Sequence, residues 1–297
     1  MDRLAAMENF VAVIDAGSIT AAAKRLGVGQ PTISKSLAAL EAYLGVQLLV
    51  RSTRGSSLTE AGRRFLAQAR TTLDEADAAE AAARDEAANL RGPLRVAAPP
   101  AYASEVIVPR FTEFSERHPD LTLDLVLDDR RVDLVGEGID LALRGGSLQD
   151  SAIIARRIDT PARIVVAGAN YLIGRDTPTH PRDLLTLDWI DYAPWTGRNW
   201  VFSKGQTQER VTFAPRLTIS AADGLRSAIL HGLGCAIVSE RMVQRELGSP
   251  ELVRLLPDWQ LESGELWLCS PAGRRMNARA RAFADWLGQL IRELPKT

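Results

Sequence analysis

The chain has 297 residues, 46% of them apolar and 25% charged, and a net charge of −1, which is ordinary globular usage with room for two or three domains. No stretch approaches the length of a membrane span, no charged and apolar leader opens the chain, and two cysteines, Cys235 and Cys269, cannot make a disulfide framework. A reducing, cytoplasmic setting without membrane attachment is therefore expected, with both cysteines as small core fillers.

The near-zero charge hides a segregation. Residues 1–70 carry nine bases against five acids, a net of +4, whereas 71–91 carry two bases against six acids. A locally basic head is the electrostatic footprint of nucleic-acid binding.

Taken in order, Leu4, Met7, Val11 and Ile14 mark a first helix whose stripe is expected to close a small core, ended by Asp15-Ala16-Gly17. From Gly17 to Leu44 the chain reads as a helix-turn-helix. Ser18 is an N-cap, Ile19, Ala22, Ala23 and Leu26 fall at helical spacing, and Gly27 takes the left-handed conformation that stops the helix. After a turn through Val28 and Gly29, a second helix starts near Gln30 with Pro31 in its first turn and buries Ile33, Leu37, Leu40 and Leu44. Its other face, Gln30, Thr32, Ser34, Lys35 and Ser36, is small and polar at the end that enters the major groove in such motifs. Gln, Ser and Thr can bond base edges, and the amides freed at a helix start attract phosphate. An ordinary helical hairpin with a solvated face would show the same spacing; the neighbouring segments favour DNA.

Gly45 breaks the second helix, and Val46 to Val50 with Leu58 form two short strands around Arg51-Ser52-Thr53-Arg54-Gly55-Ser56-Ser57. This is a winged loop that puts Arg51 and Arg54 against phosphate or the minor groove; the competing reading is an exposed turn. Thr59 caps a long helix to about Leu90, with Leu66, Ala69, Leu73, Ala76, Ala83 and Leu90 at heptad-like spacing. Such a seam suits a helical pair between two subunits, or packing within its own domain. Paired heads would read a site of two-fold symmetry.

After Arg91-Gly92-Pro93 the pattern alternates between strands and helices: strand 94–98, helix 104–117, strands 121–127 and 140–144, then strands 163–167, 189–191, 217–219 and 235–238 with a helix over 222–231. Alternation of this kind implies parallel sheets in two lobes, with ligands at the strand ends. A strand over 265–269 and a helix over 277–294 are expected to return to the first lobe. The expected divisions are a head over 1–58, a linker helix over 59–90, a first lobe over 91–161 and 268–297, and a second lobe over 162–267.

The run FVAVIDAGSITAAAKRLGVGQPTISKSLAALEAYLGVQLLVRSTRGSSLTEAG resembles the winged head of LysR-type transcriptional regulators nearly residue for residue. The later run DDRRVDLVGEGIDLALRGGSLQDSAIIARRI resembles one large subgroup of that family. The resemblance implies an α/β multidomain protein: a winged helix-turn-helix, a long linker helix and a two-lobed effector-binding domain of periplasmic-binding-protein type. It implies double-stranded promoter DNA and a small-molecule effector of unknown identity as partners, and a homodimer through the linker helix that assembles further into a homotetramer. No cofactor or metal is implied.

Carried onto this chain, the resemblance places DNA contacts at Gln30, Pro31, Thr32, Ser34 and Lys35, with wing contacts at Arg51 and Arg54. Lys35 stands where many members carry Arg, which weakens a bidentate guanine contact, and Gly29 stands where Ser or Thr is frequent. The effector is expected near Pro100, Ala101, Tyr102, Asp128, Arg144, Trp195, Trp200, Ser220 and Asp223. Arg144 is read either as a carboxylate holder or as a partner of Asp140. Tyr102, Trp195 and Trp200 are read as apolar walls, the two tryptophans alternatively as structural plugs, and the amides near Ala222 as an anion site. Pro99-Pro100-Ala101 replaces the hydroxyls common in that loop.

An enzyme on the same body has little support. His118, His180 and His231 are far apart, no nucleophile elbow or phosphate-binding loop occurs, and Gly232-x-Gly234 is too short for a nucleotide site. A solute-binding protein would need export. A constitutive DNA-binding regulator without an effector is the nearest alternative.

Overall fold

The computed structural model describes residues 1–52, 55–83, 90–146, 148, 153–195, 199–272 and 276–294. It forms two compact units, one of Met1–Leu90 with Val135–Gly138 and Arg274–Ala278, the other of Arg91–Leu134, Ile139–Gly273 and Arg279–Thr297. No single helix among the described residues is long and apolar enough to cross a membrane.

The first unit opens with α1 (Arg3–Asp15), α2 (Ile19–Leu26) and α3 (Gln30–Leu44). Local chemistry sets each boundary. The Asp2 side chain accepts from the Ala5 amide and Ser18 from the Ala21 amide, and Gly27 ends α2 at φ 67°, a conformation that costs a residue with a Cβ. A two-stranded wing follows, β1 (Leu49–Ser52) antiparallel to β2 (Gly55–Leu58), with Leu49 opposite Leu58. Arg51 lies on β1, and Arg54 lies outside the described residues.

The wing is tied to the helices by two side chains. Glu41 of α3 accepts from the amides of Leu48 and Leu49 at 2.7 and 3.1 Å. Thr59 donates its hydroxyl to the Gln47 carbonyl at 2.7 Å and accepts from the Gly62 amide at 2.9 Å, capping α4 (Glu60–Ala83). Gly62 is required there, because a Cβ would stand 2.1 Å from the Leu48 carbonyl oxygen.

The core of this unit differs from the expected stripe on α1. Ala6, Phe10 and Val13 are fully buried, Leu4 is exposed, and Met7, Val11 and Ile14 are only half-buried. The helix is apolar on several sides, so periodicity alone does not choose its face. Packing from two directions does: Phe10 meets Phe65 of α4 at 5.5 Å and shares a core with Ile33, Leu37, Leu40 and Leu66. Leu26 is exposed as well, and Leu44 is half-buried. Leu66, expected on an intersubunit seam, is therefore spent inside its own head, and an Arg70–Asp15 ion pair fastens α4 to the end of α1.

The second unit holds two lobes. In the first, β3 (Gly92–Ala98), β4 (Leu121–Leu127), β5 (Leu141–Gly145), β6 (Ile153–Asp159) and β15 (Leu266–Pro271) form a five-stranded sheet of order β4-β3-β5-β15-β6. A helical run over 100–117, α5, and α7 (Ala278–Glu293) belong to this lobe, where Phe114, Phe283 and Trp286 cluster at 5.2–5.4 Å. In the second, β7 (Arg163–Gly168), β8 (Trp189–Tyr192), β11 (Pro215–Ile219), β12 (Cys235–Ser239) and β13 (Leu252–Leu255) are ordered β11-β8-β12-β7-β13. Helix α6 (Ala222–Leu230) packs on this sheet through Leu225 and Ile229, which are buried with Ile164, Val166 and Val238.

The sheets are mixed, where alternation had implied parallel ones. β3 runs parallel to β4 and β5, but β15 is antiparallel to β5 and β6, and β7 is antiparallel to β12 and β13. The chain's return to the first lobe supplies the antiparallel member. A third sheet of β9 (Asn199–Lys204), β10 (Thr207–Thr212) and β14 (Gln260–Leu261) was not expected, and it places Trp200 on a strand. The connections between lobes run side by side, with the Gly264 amide donating to the Pro161 carbonyl at 2.8 Å.

Candidate functional site

On the head, Gln30, Pro31, Thr32 and Lys35 are exposed at the start of α3, and Ser34 is half-buried. Ser36 does not share that outward face: it is half-buried and accepts a hydrogen bond from Asn9 of α1 at 3.0 Å, so it sets the angle between helices. The helix start also offers fewer amides than expected. Pro31 has none, and the Thr32 and Ile33 amides donate to the Gly29 carbonyl at 3.0 and 3.4 Å. Side chains, more than a row of amides, make up what this end presents.

The basic surplus of the head is sorted by pairing. Arg63 and Arg64 are held by Glu60, and Arg70 by Asp15. Lys24, Arg25 and Lys35 are exposed and make no ion pair among the described residues. Sequence reasoning missed Lys24 and Arg25 because basic residues in a last helical turn also suit the helix dipole. That neither has an acidic partner among the described residues is a tertiary fact.

In the second unit, a cavity of about 870 Å³ opens between the lobes, lined from the first by Tyr102, Asp129 and Arg157 and from the second by Arg163, Tyr192, Trp195, Trp200 and Arg241. Buried polar bonds cross it. Arg241, following β12, donates its Nε to Asp159 at the end of β6 at 2.7 Å, and the Tyr102 hydroxyl donates to the same carboxylate oxygen at 3.2 Å. Burial, then the Asp159 charge, raises the Tyr102 pKa, which keeps the phenol protonated as a donor. Asp129, in the loop after β4, accepts from the Ala222 amide at 2.7 Å, so the α6 amide expected to receive an effector anion is bonded to a carboxylate of the other lobe. Beside it, burial and the Asp129 carboxylate raise the pKa of Tyr192.

Arg163 opens β7 with its guanidinium 4.8 Å from the Trp195 ring centre and 5.5 Å from that of Trp200, the two rings being 5.9 Å apart. It donates to the Glu262 carbonyl at 3.2 Å, and burial draws its pKa down, opposed by Glu262 and Glu265. The tryptophans serve both alternatives, walling the cavity while packing on the core around Trp189 and Phe202.

Of the expected effector residues, Ala101, Tyr102, Trp195 and Trp200 line this cavity. Pro100, Asp128, Arg144, Ser220 and Asp223 do not. Asp128 pairs with Arg130 at 2.9 Å, and its neighbour Asp129 is the carboxylate that faces the cleft, an ambiguity inherent in adjacent residues at a strand end. Arg144 donates to the Val132 carbonyl at 2.8 Å. Ser220 and Asp223 are exposed on either side of the buried Ala222. Asp129, Arg163 and Arg241 were not singled out from the sequence, where each is one charge among many.

The comparisons with known proteins agree in both parts. Residues 4–63 match the family model for bacterial regulatory helix-turn-helix proteins of the lysR family, and residues 87–292 match the LysR substrate binding domain. The chain is 34% identical over 290 residues to the transcriptional regulator PtxR of Pseudomonas aeruginosa, spanning 96% of this chain and 92% of that protein. It is 30% identical over 280 residues to the transcriptional regulator CrgA of Neisseria meningitidis serogroup C, spanning 94% and 93%. The solved full-length structure of CrgA from Neisseria meningitidis superposes with a TM-score of 0.60 at 28% identity, covering 96% of this chain and 98% of that one. That of AphB, the Vibrio cholerae virulence activator, gives 0.57 at 27%, with 96% and 98% covered. The chain belongs to the LysR family of transcriptional regulators, which join a DNA-binding helix-turn-helix to an effector-binding domain.

Proposed function

We propose that this regulator reads promoter DNA with Gln30, Pro31, Thr32, Ser34 and Lys35 of α3 and with the wing arginines Arg51 and Arg54, and that a small molecule in the interlobe cleft modulates that binding. The carrying observation is the polar, exposed start of α3 together with Lys24, Arg25 and Lys35, which are exposed and make no ion pair among the described residues. Side chains of that kind supply base contacts, and the cations supply the salt-dependent phosphate term.

In this reading the chain acts in the cytoplasm as a regulator without catalytic activity. It divides into a head over 1–58, a linker helix over 59–90, a first lobe over 91–161 and 268–297, and a second lobe over 162–267. Two copies pair through the linker helix, using the seam beyond Ala69, since Leu66 and Ala69 are both buried within the single chain, and pairs associate into a tetramer. An effector shifts the equilibrium between lobe arrangements only by its differential affinity for them, and the linker carries that shift to the spacing of the heads.

The test is a footprint of the purified protein, at near-physiological salt, on DNA upstream of its own coding sequence and on a genome-wide pool of bound fragments. An interrupted, near-palindromic protected site is expected. Uniform, weak, salt-sensitive binding to all fragments would overturn the contact assignment.

A further inference from the structure

Three carboxylates of the first lobe are taken up by donors of the second. Asp129, in the loop after β4, accepts from the Ala222 amide at 2.7 Å and from the Tyr192 hydroxyl of β8. Asp159, at the end of β6, meets Arg241 at 2.7 Å and is steadied from its own lobe by the Tyr102 hydroxyl at 3.2 Å. Glu105, in the helical run α5, pairs with Arg245 at 2.9 Å, further along the segment that carries Arg241. An apolar contact accompanies these ties, since Ala101 of the same run packs on the core of the second lobe around Ala222, Leu225 and Met242.

The ties share one polarity. Every acid stands on the first lobe and every donor on the second, so separating the lobes would leave Asp129, Asp159 and Glu105 on one face and Arg241 and Arg245 on the other. Complementary charge on facing surfaces favours their juxtaposition and fixes its register. The ties also lie on both sides of the cavity wall: Asp129, Tyr192, Ala222 and Arg241 line the cavity, whereas Glu105 and Arg245 do not.

We propose that these ties act together as a latch built into the regulatory domain, the first lobe's own carboxylates bridging the lobes as a bound anion would. This inference rests on the reading that the lobe arrangement governs DNA binding. The differential affinity of an effector is then set against the latch, and loosening the latch shifts the lobe equilibrium with no effector added.

The test is amide hydrogen exchange on the full-length protein, resolved to single residues by mass spectrometry with electron-transfer fragmentation. Ala222 opens α6, so its amide has no acceptor within the helix and owes its hydrogen bond to Asp129 of the other lobe. The Leu225 amide, bonded to the Ala221 carbonyl at 3.0 Å, reports on the helix itself. Protection of Ala222 is expected in the unaltered protein. Asp159→Asn is expected to speed exchange at Ala222 by about tenfold or more, and Glu105→Gln or Arg245→Gln by about two- to fivefold, with Leu225 unchanged. The altered residues are tied to partners other than Ala222, and Arg245 is mostly exposed, so its variant keeps the test open if a buried one fails to fold.

An exchanging Ala222 amide in the unaltered protein, or variants that leave it unmoved, would overturn the latch. So would variants that speed Ala222 and Leu225 alike, the signature of general destabilisation. Footprints of the same variants on bound DNA fragments separate this inference from the reading it rests on. A loosened latch with an altered protected spacing supports both; a loosened latch with an unchanged footprint supports the latch and refutes the coupling of lobes to heads.

Discussion

Asp159 and Arg241 meet at 2.7 Å between the end of β6 and the segment after β12, with only 10% and 5% of their side chains exposed, and so lock the two lobes through a buried ion pair. Removing one partner leaves the other charge buried and unpaired, a cost of about 3–5 kcal/mol, whereas removing both is far milder. Asp159→Asn and Arg241→Met are each expected to lower the melting temperature of the protein strongly, and the double variant less than the sum of the two. Thermal unfolding in a double-mutant cycle measures the difference, and additive losses would show that the pair is not coupled.

Lys24 and Arg25, which make no ion pair among the described residues, bear on affinity more than on sequence choice. Lys24→Ala and Arg25→Ala are each expected to weaken binding to specific and unrelated DNA alike, flattening the plot of log affinity against log salt by about 1 for each phosphate that is no longer neutralised. Lys35→Ala is expected also to relax base preference. Titrations at several salt concentrations on cognate and scrambled duplexes distinguish the two effects.

Glu41 illustrates a stabilising role with a local readout. Glu41→Ala leaves the Leu48 and Leu49 amides without their carboxylate acceptor. The expected cost is about 1–3 kcal/mol. Amide hydrogen exchange is expected to accelerate at the base of the wing before the rest of the head is affected.

Cys235 is fully buried, and burial pushes its thiol up to about 12. Since the thiolate is the reactive form, neither Cys235 nor the equally buried Cys269 is expected to react with iodoacetamide at pH 8 until the chain unfolds. Mass spectrometry of pulse-alkylated protein along a urea series reads this directly.

His118 supplies a pH dependence. Burial, followed by the nearby Arg117 charge, holds its imidazole below the ordinary value of 6.5. As pH falls through 6.5 the unfolded chain binds a proton here that the folded chain refuses. Stability is therefore present above that pH and declines below it until the folded pKa is reached. Melting temperatures of the protein and of His118→Gln between pH 7.5 and 5 are expected to converge in slope only if another group is responsible.

The helix-turn-helix was legible because its determinants are local. Ser18, Gly27, Pro31 and Gly45 act on the backbone within a turn or two of themselves, so caps and breaks can be read along the chain. The family resemblance extended that reading to the head, the linker and the two-lobed body. Which face of α1 is buried was not legible: the helix is apolar on more than one side, and Phe65, fifty-five positions away, made the choice by packing on Phe10. The mixed sheets escaped for the same reason, since β15 joins β5 and β6 only after the chain has built the whole second lobe.

The cleft divides the same way. Aromatic side chains near its mouth stand out in a sequence because they are rare, and Tyr102, Trp195 and Trp200 do line it. Its charges do not stand out, because Asp129, Asp159, Arg163 and Arg241 are ordinary residue types whose meaning depends on who faces them. Sequence by itself determined the family, the helical boundaries of the head and the presence of two α/β lobes, all of them set by short-range backbone preferences and periodic burial. The tertiary structure alone decided which acid meets which base across the cleft, because electrostatic pairing falls off over a few ångströms of space and takes no account of distance along the chain.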